Sequence, residues 1–371
     1  MKETYVKVAE MLETGEPFAL ATLIRSRGSA PQVAGSQAMF HPDGRSDGNL
    51  GGGCLEMEAR RRALTAMASG EPTFFSLHLD SDFGFDDGLI CGGTADILIE
   101  PRPQRFARCF EAAADAVRRR QDAGVATICD GPRGILGARA VIEPGRASMV
   151  DGTEGDLAET LLEHATRAAE RRFRQPEVVD VPGASIFVEP LLRSPELLIV
   201  GAGHVGTALS RLASRLDFEV VALDDRPAFA NADRLPWASR VIAADIPSTL
   251  EKMDLAPDTY VVIMTRGHRH DGAALRACLG RPLAYLGMIG SRRKIRLIYD
   301  ELLEEGAAQP EELARIRSPI GLDIGAESVE EIAVSIAAEL ILVRHSTNRT
   351  PDSRPLFESM SELIPGRPAG R

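Results

Sequence analysis

Apolar residues along this chain fall into two regimes. Before residue 193, short runs such as LATLI at 20–24, AMF at 38–40, FFSLHL at 74–79 and DILIEP at 96–101 are separated by polar turns and a few helical stretches. That pattern predicts an α+β domain. From residue 197 onward, apolar runs at 197–200, 220–223, 241–243, 260–264 and 284–286 alternate with helical stretches. Continuous apolar strands separated by helices predict a parallel sheet covered on both faces. Residues 332–343 form the longest apolar-rich stretch, but Ser335 and Glu339 interrupt it and it is too short to span a bilayer. It predicts a core helix and no membrane span. The opening MKETYVKVAEMLETGEP has helical apolar spacing and lacks the apolar region of a signal peptide. The polar, proline-rich segment 346–371 predicts a poorly ordered or partner-bound tail.

Within the first regime the same order of features occurs twice. Residues 18–101 read as strand, hairpin, a GGGCLE turn, helix, strand and strand, and residues 124–190 repeat that order in shorter form. Two readings stay open: one scaffold used twice, or the general likeness of α+β segments. Under the first, the GSAP loop and the DSDFGFDDGLICGG loop, reduced in the second copy, are additions beyond what folding needs. Arg193, Ser194, Pro195 and Glu196 make a short polar connection to the second regime. The expected fold class is therefore α/β. An N-terminal α+β domain occupies 1–192, with internal duplication as one of its readings, and a C-terminal Rossmann-like parallel sheet occupies 197–345.

Composition narrows the function classes. A chain of 371 residues, 44% of them apolar, can bury the cores of two or three domains. Its net charge of −11 argues against nucleic acid as a partner, because binding a phosphate backbone needs a surplus of Lys and Arg. The five cysteines, at 54, 91, 109, 129 and 278, have neither the density of a disulfide scaffold nor the paired spacing of a zinc site. Reduced thiols in a cytoplasmic protein fit this usage.

Candidate chemistry gathers at glycine turns. Gly51, Gly52 and Gly53 lead into Cys54 at an expected helix start, where the helix dipole lowers a thiol pKa and attracts anions. Cys91 is followed by Gly92 and Gly93 in a similar setting. Both thiols read either as nucleophiles, sulfur carriers or soft metal ligands, or as small buried residues. Cys109, Cys129 and Cys278 lack this glycine setting and read as packing. Glu56 reads as an early-helix acid favoured by the dipole, and RGSAPQVAGS, with Arg25, Arg27, Ser29 and Pro31, as an anion loop or a plain turn.

In the second regime Gly201, Gly203 and Gly206 form a G-x-G-x-x-G turn after an apolar strand and before a helix. Asp224 lies 18 residues beyond Gly206, where an acidic side chain is expected to accept a ribose hydroxyl. NAD is the default ligand, although a pterin or nucleotide phosphate satisfies the same physics. His204 sits inside the turn. Two further clusters follow later strands: Thr265 to Asp271, including Arg266, His268 and His270, and Gly287 to Lys294, including Gly290, Ser291 and Arg292. Each reads as an anion-holding strand-to-helix turn or as a solvated, locally satisfied helix start. A metal site from His268, His270 and Asp271 is a weak alternative, because no further ligand stands at a diagnostic spacing.

The strings GSAPQVAGSQAMF, DGNLGGGCLEMEAR, LICGGTADILIEP, LIVGAGHVG, DDRPAFAN, MTRGHRHD, YLGMIGSRRK and PIGLDIGAESVEEIAVSIAAELI, in this order, resemble the xanthine dehydrogenase accessory family, also called molybdenum cofactor insertion chaperones. The resemblance implies a homodimeric chaperone, more than a catalyst. It would bind the molybdenum cofactor (molybdopterin) while a cysteine desulfurase installs a sulfur ligand, then pass it to a xanthine dehydrogenase-type molybdoenzyme. It carries the family's glycine-cysteine strings onto residues 51–54 and 91–93, and its Rossmann turn onto 201–206. Some members carry histidine where Arg266 stands here. The expectation is a phosphate near Gly203 and a metal end towards Cys54 and Cys91. One rival is an NAD(P)-dependent oxidoreductase with His268 as its acid or base; another is an interaction scaffold without ligand.

Overall fold

The computed structural model describes residues 2–28, 32–78, 93–146, 148–170 and 175–346. The chain divides into two units, Met1–Arg193 and Ser194–Arg371. The first carries α1 (Lys2–Thr14), β1 (Ala19–Gly28), β2 (Gln37–Phe40), β3 (Ser46–Gly48), α2 (Gly53–Ser69), β4 (Thr73–His78) and β5 (Gly93–Glu100). It then repeats that order with α3 (Ala107–Arg118), β6 (Ala123–Asp130), β7 (Arg139–Ile142), β8 (Met149–Asp151), α4 (Asp156–Ala169), β9 (Glu177–Val181) and β10 (Ala184–Leu191). Both copies make antiparallel five-stranded sheets of the same topology, β3-β2-β1-β5-β4 and β8-β7-β6-β10-β9. The registers agree as well: Leu20 pairs with Glu100 in one sheet and Val125 with Glu189 in the other. One supersecondary scaffold is used twice.

Apolar spacing explains how each sheet is covered. Leu55, Ala59, Ala63 and Ala66 lie on one stripe of α2 and bury against Ala19, Ala21 and Leu23 of β1. The alternate residues Leu20 and Met39 face Tyr5 and Val8 of α1, in a cluster that also takes in Phe110 of α3 and Leu161 of α4. The copies are braced by buried polar groups. Arg139 of β7 pairs with Glu100 of β5, each 2% exposed, and its guanidinium lies 4.1 Å over the Phe110 ring. The Tyr5 hydroxyl donates to Glu189 Oε2 at 2.7 Å.

The second unit comprises β11 (Glu196–Val200), α5 (His204–Arg215), β12 (Glu219–Asp224), β13 (Arg240–Ala243), α6 (Ile246–Lys252), β14 (Tyr260–Ile263) and α7 (His268–Cys278), then β15 (Tyr285–Met288), α8 (Arg292–Glu304), α9 (Pro310–Leu313) and α10 (Val329–Ser346). Its five strands are all parallel in the order β13-β12-β11-β14-β15. Leu197 and Ile199 pack on α5 and α10, while Leu198 and Val200 pack on the α6, α7 and α8 side. α10 is the expected core helix, burying Ala333, Ile336, Ala337 and Leu340. Its polar interruption at Glu339 is satisfied, accepting from the Tyr285 hydroxyl at 2.6 Å and from Gly321 N–H at 2.8 Å. Among the described residues no helix is long and apolar enough to cross a membrane. Of the segment 346–371, expected to form a tail, Ser346 closes α10 and residues 347–371 lie outside the described residues.

Candidate functional site

In the parallel sheet the order of strands reverses at β11: β12 and β13 lie on one side of it, β14 and β15 on the other. Ligands of such folds sit beyond the C-terminal strand ends at that switch point. The three glycines of the first turn differ in what they do there. Gly201 has φ +113°, and a Cβ on it would collide with the Met264 carbonyl at the end of β14. A Cβ on Gly206 would collide with the Gly201 carbonyl, so this glycine lets α5 pack closely on the strand. A Cβ on Gly203 would meet no atom within 4 Å. Gly203 is the N-cap of α5 and supplies no side-chain cap, which leaves the first backbone N–H groups of the helix for an anion. His204 is exposed on the first position of α5.

Asp224, expected to accept a ribose hydroxyl, is held by partners within the chain. It is 1% exposed, and its carboxylate accepts from Ala202 N–H at 2.8 Å, from Arg226 N–H at 3.0 Å, and from the Arg226 guanidinium twice at 2.8 Å. Burial pushes its pKa up, but the hydrogen bonds from Arg226 and Ala202 outweigh that and hold it below the usual carboxylate value. Its oxygens brace the glycine turn. Arg226 in turn stacks 3.8 Å over the Phe229 ring. Asp225 forms a two-point bridge to Arg266, both hydrogen bonds 2.8 Å, and the same guanidinium lies 3.1 Å from His270 Nε2. Sequence reasoning passes over Arg226 and Asp225, although an arginine two residues past the strand-end acid is a visible signal.

The later clusters do converge on the same edge. Thr265 and Gly267 follow β14, and Gly267 caps α7 without a side chain, with His268 exposed beside it. Asp271 is fully buried; it accepts from Thr265 N–H at 2.9 Å and from the Thr265 hydroxyl at 2.6 Å, and pairs with Lys294. It organises the loop and is not a free metal ligand. After β15 come Gly290, Ser291 and Arg292; Lys294 N–H donates to the Ser291 hydroxyl at 3.4 Å, so α8 is capped by its own side chain. Two uncapped helix N-termini, of α5 and α7, therefore flank the C-terminal ends of β11 and β14. Among the described residues no cluster of His, Cys, Asp and Glu could hold a metal ion.

In the first unit, Gly51 and Gly52 have φ +92° and +79°, conformations that favour glycine, and Gly53 opens α2. Asn49 Oδ1 accepts from Gly51 N–H at 2.6 Å, and the Glu56 carboxylate accepts from Leu50 N–H at 3.3 Å, so Glu56 braces the turn. Cys54 is the second residue of α2. The Cys54 side chain, Cys91, Gly92, Ser29 and Pro31 lie outside the described residues; Gly93 opens β5 opposite Gly28. The thiols of Cys109, Cys129 and Cys278 are buried, which pushes each pKa up to about 12. They are packing residues.

A glycine turn at the switch point of a five-stranded parallel sheet, in a chain that also carries a duplicated α+β unit, defines a protein with a Rossmann-type domain and an accessory α+β domain. Family comparison agrees: the XdhC Rossmann domain matches residues 197–340, and the XdhC and CoxI family matches residues 11–79. The chain belongs to the XdhC family. It is 27% identical over 340 residues to a probable xanthine dehydrogenase subunit of Bacillus subtilis (strain 168), covering 90% of this chain and 95% of that protein. It is 26% identical over 335 residues to the molybdenum cofactor insertion chaperone PaoD of Escherichia coli (strain K12), covering 90% and 86%. It is also 24% identical to YqeB of Escherichia coli (strain K12) over 99% of its own length, but spans only about half, 51%, of that relative. A crystal structure described as a xanthine dehydrogenase, from Bacillus halodurans, superposes with a TM-score of 0.74 at 27% identity, over 97% of this chain and 99% of that one.

Proposed function

We propose that this protein is a cytoplasmic accessory chaperone that holds the molybdenum cofactor as cargo, keeps it while a cysteine desulfurase installs its sulfur ligand, and delivers it to a xanthine dehydrogenase-type molybdoenzyme. The cofactor carries a phosphate, and the residues at the sheet edge suit one: Gly203 leaves its turn open, and the N-termini of α5 and α7 offer backbone N–H groups with the positive end of a dipole. Thr265, His268, Gly290, Ser291 and Arg292 border that edge as candidate contacts. Cys54 and Cys91, in the glycine-cysteine strings at 51–54 and 91–93, are the candidate thiols for protecting the cargo.

The observation that carries this reading against the NAD(P) oxidoreductase is Asp224. A Rossmann turn that keeps its phosphate-binding glycines but commits its acidic residue to Ala202 and Arg226 favours a phosphate-bearing ligand without an adenosine ribose. The test is purification from a molybdenum-competent host, with molybdenum and oxidised pterin assayed on the protein. Stoichiometric amounts of both are expected, reduced in a Cys54→Ala, Cys91→Ala pair. Absence of both with NAD retained would overturn the proposal.

A further inference from the structure

The two copies of the first unit provide an internal control for their buried polar groups. Gln37 pairs with Thr22 in the first sheet, and Arg139 pairs with Thr127 in the second, so Gln37 and Arg139 occupy equivalent positions. Arg139 is satisfied: it pairs with Glu100, donates to the Gly137 carbonyl at 3.1 Å and lies over Phe110. Gln37 is not. It is 5% exposed, its Nε2 reaches only Thr22 Oγ1 at 3.4 Å, and its Oε1 has no hydrogen-bond partner among the described residues. An unpaired buried amide acceptor destabilises the fold, whereas an apolar group of the same shape costs little.

Gln37 lines a cavity of about 420 Å³, within the range of small-molecule sites. Met39, on the same face of β2, forms another part of its wall, while Glu3 and Lys7 of α1, Asp47 of β3 and Asn49 contribute polar groups. Asn49 is also the residue that holds Gly51, so the cavity abuts the glycine turn ahead of Cys54. The carboxylates of Glu3 and Asp47, the latter 3.3 Å from His41 Nε2, and the Gln37 amide oxygen, which is enclosed in this structure and must turn outward to meet a ligand, call for a ligand rich in N–H donors. A primary amide pairs in two-point fashion with a ring edge that places N–H beside C=O, and the soft terminal torsion of glutamine lets it turn to such an edge.

We propose that this cavity binds the 2-amino-4-oxopyrimidine edge of a heterocycle, with the Gln37 amide as its recognition group. Pterins and guanines share that edge. Assigning it to the pterin of the molybdenum cofactor rests on the proposed function; the cavity and the unpaired amide do not.

The test titrates the full-length protein with free pterin, read by its fluorescence, and with GMP, read by calorimetry. Gln37→Met, which conserves volume, should weaken the bound heterocycle at least about tenfold while leaving the melting temperature unchanged or raised. Gln37→Glu, which keeps an acceptor of the same length, should retain binding within about threefold, equivalent to less than 1 kcal/mol. Gln37-dependent binding of pterin identifies a pterin source and of GMP a guanine source; either supports the proposal. No binding of either probe, or equal loss in both variants, overturns it. Molybdenum retained equally by wild type and Gln37→Met overturns the assignment of this site to the cofactor's pterin and leaves the chaperone reading standing. Gln37-dependent binding by a wild type that carries no molybdenum does the reverse.

Discussion

Arg266 and Asp225, 41 residues apart, are joined by two hydrogen bonds of 2.8 Å that tie the loop after β14 to the loop after β12, on either side of the end of β11. Both side chains are partly exposed, 41% and 28%, so solvent and salt screen the pair. A double-mutant cycle with Asp225→Asn and Arg266→Gln should return a coupling of no more than about 1 kcal/mol, shrinking as salt is raised. A coupling well above about 2 kcal/mol, insensitive to salt, would contradict this view of the bridge as a positioning contact.

The neighbouring pair behaves differently because Asp224 is buried. Arg226→Leu leaves that carboxylate with two backbone N–H partners and no countercharge, and should cost about 2 kcal/mol in urea denaturation. The wild-type protein should not bind NADH in a fluorescence titration up to millimolar concentrations. Tight NADH binding without mutation would show that Asp224 leaves Arg226 to meet a ribose.

The glycines of the turn should separate folding from binding. Gly206→Ala drives a methyl group into the Gly201 carbonyl and is expected to lower stability by at least about 2 kcal/mol. Gly203 has φ −69° and open surroundings, so Gly203→Ala should stay within about 0.5 kcal/mol of wild type in thermal melts yet reduce cofactor retention. Equal melting losses in both variants would refute the distinction.

Glu189 should impose a pH dependence of unusual sign for a carboxylate. Burial raises its pKa from 4.5 to about 7, against the smaller lowering effects of the Tyr5 hydrogen bond and Arg139. The folded protein therefore holds a proton that the unfolded chain releases between those values. This contribution is full below pH 4.5 and is lost as pH rises through about 7, by at most about 3 kcal/mol. Glu189→Gln should flatten the stability profile across that window. A difference between the two proteins that grows in the opposite direction would reject the assignment.

Much of this architecture is legible residue by residue. The apolar runs at 197–200, 220–223 and 260–264 form β11, β12 and β14 because their signal is local: each is a short, continuously apolar stretch ended by a turn. The repeated order of elements in the first unit is visible too, but whether it is a duplication needs the strand pairings. Asp224 is only half legible for a similar reason. Spacing locates it at the strand end, while its direction depends on Arg226 and the Ala202 amide, which compete with a ligand for the same oxygens.

By itself, the amino-acid order determined the elements, the glycine turns and the family strings, since these follow from φ/ψ preferences and apolar periodicity within a few residues of chain. Only the tertiary structure decided which polar groups were left with unmet hydrogen-bonding capacity. Gln37 and Arg139 look unrelated in the chain, yet sheet register makes them counterparts, one saturated by Glu100 and the other not. Hydrogen bonds and burial are settled by neighbours brought from far along the chain, and a sequence pattern does not carry that information.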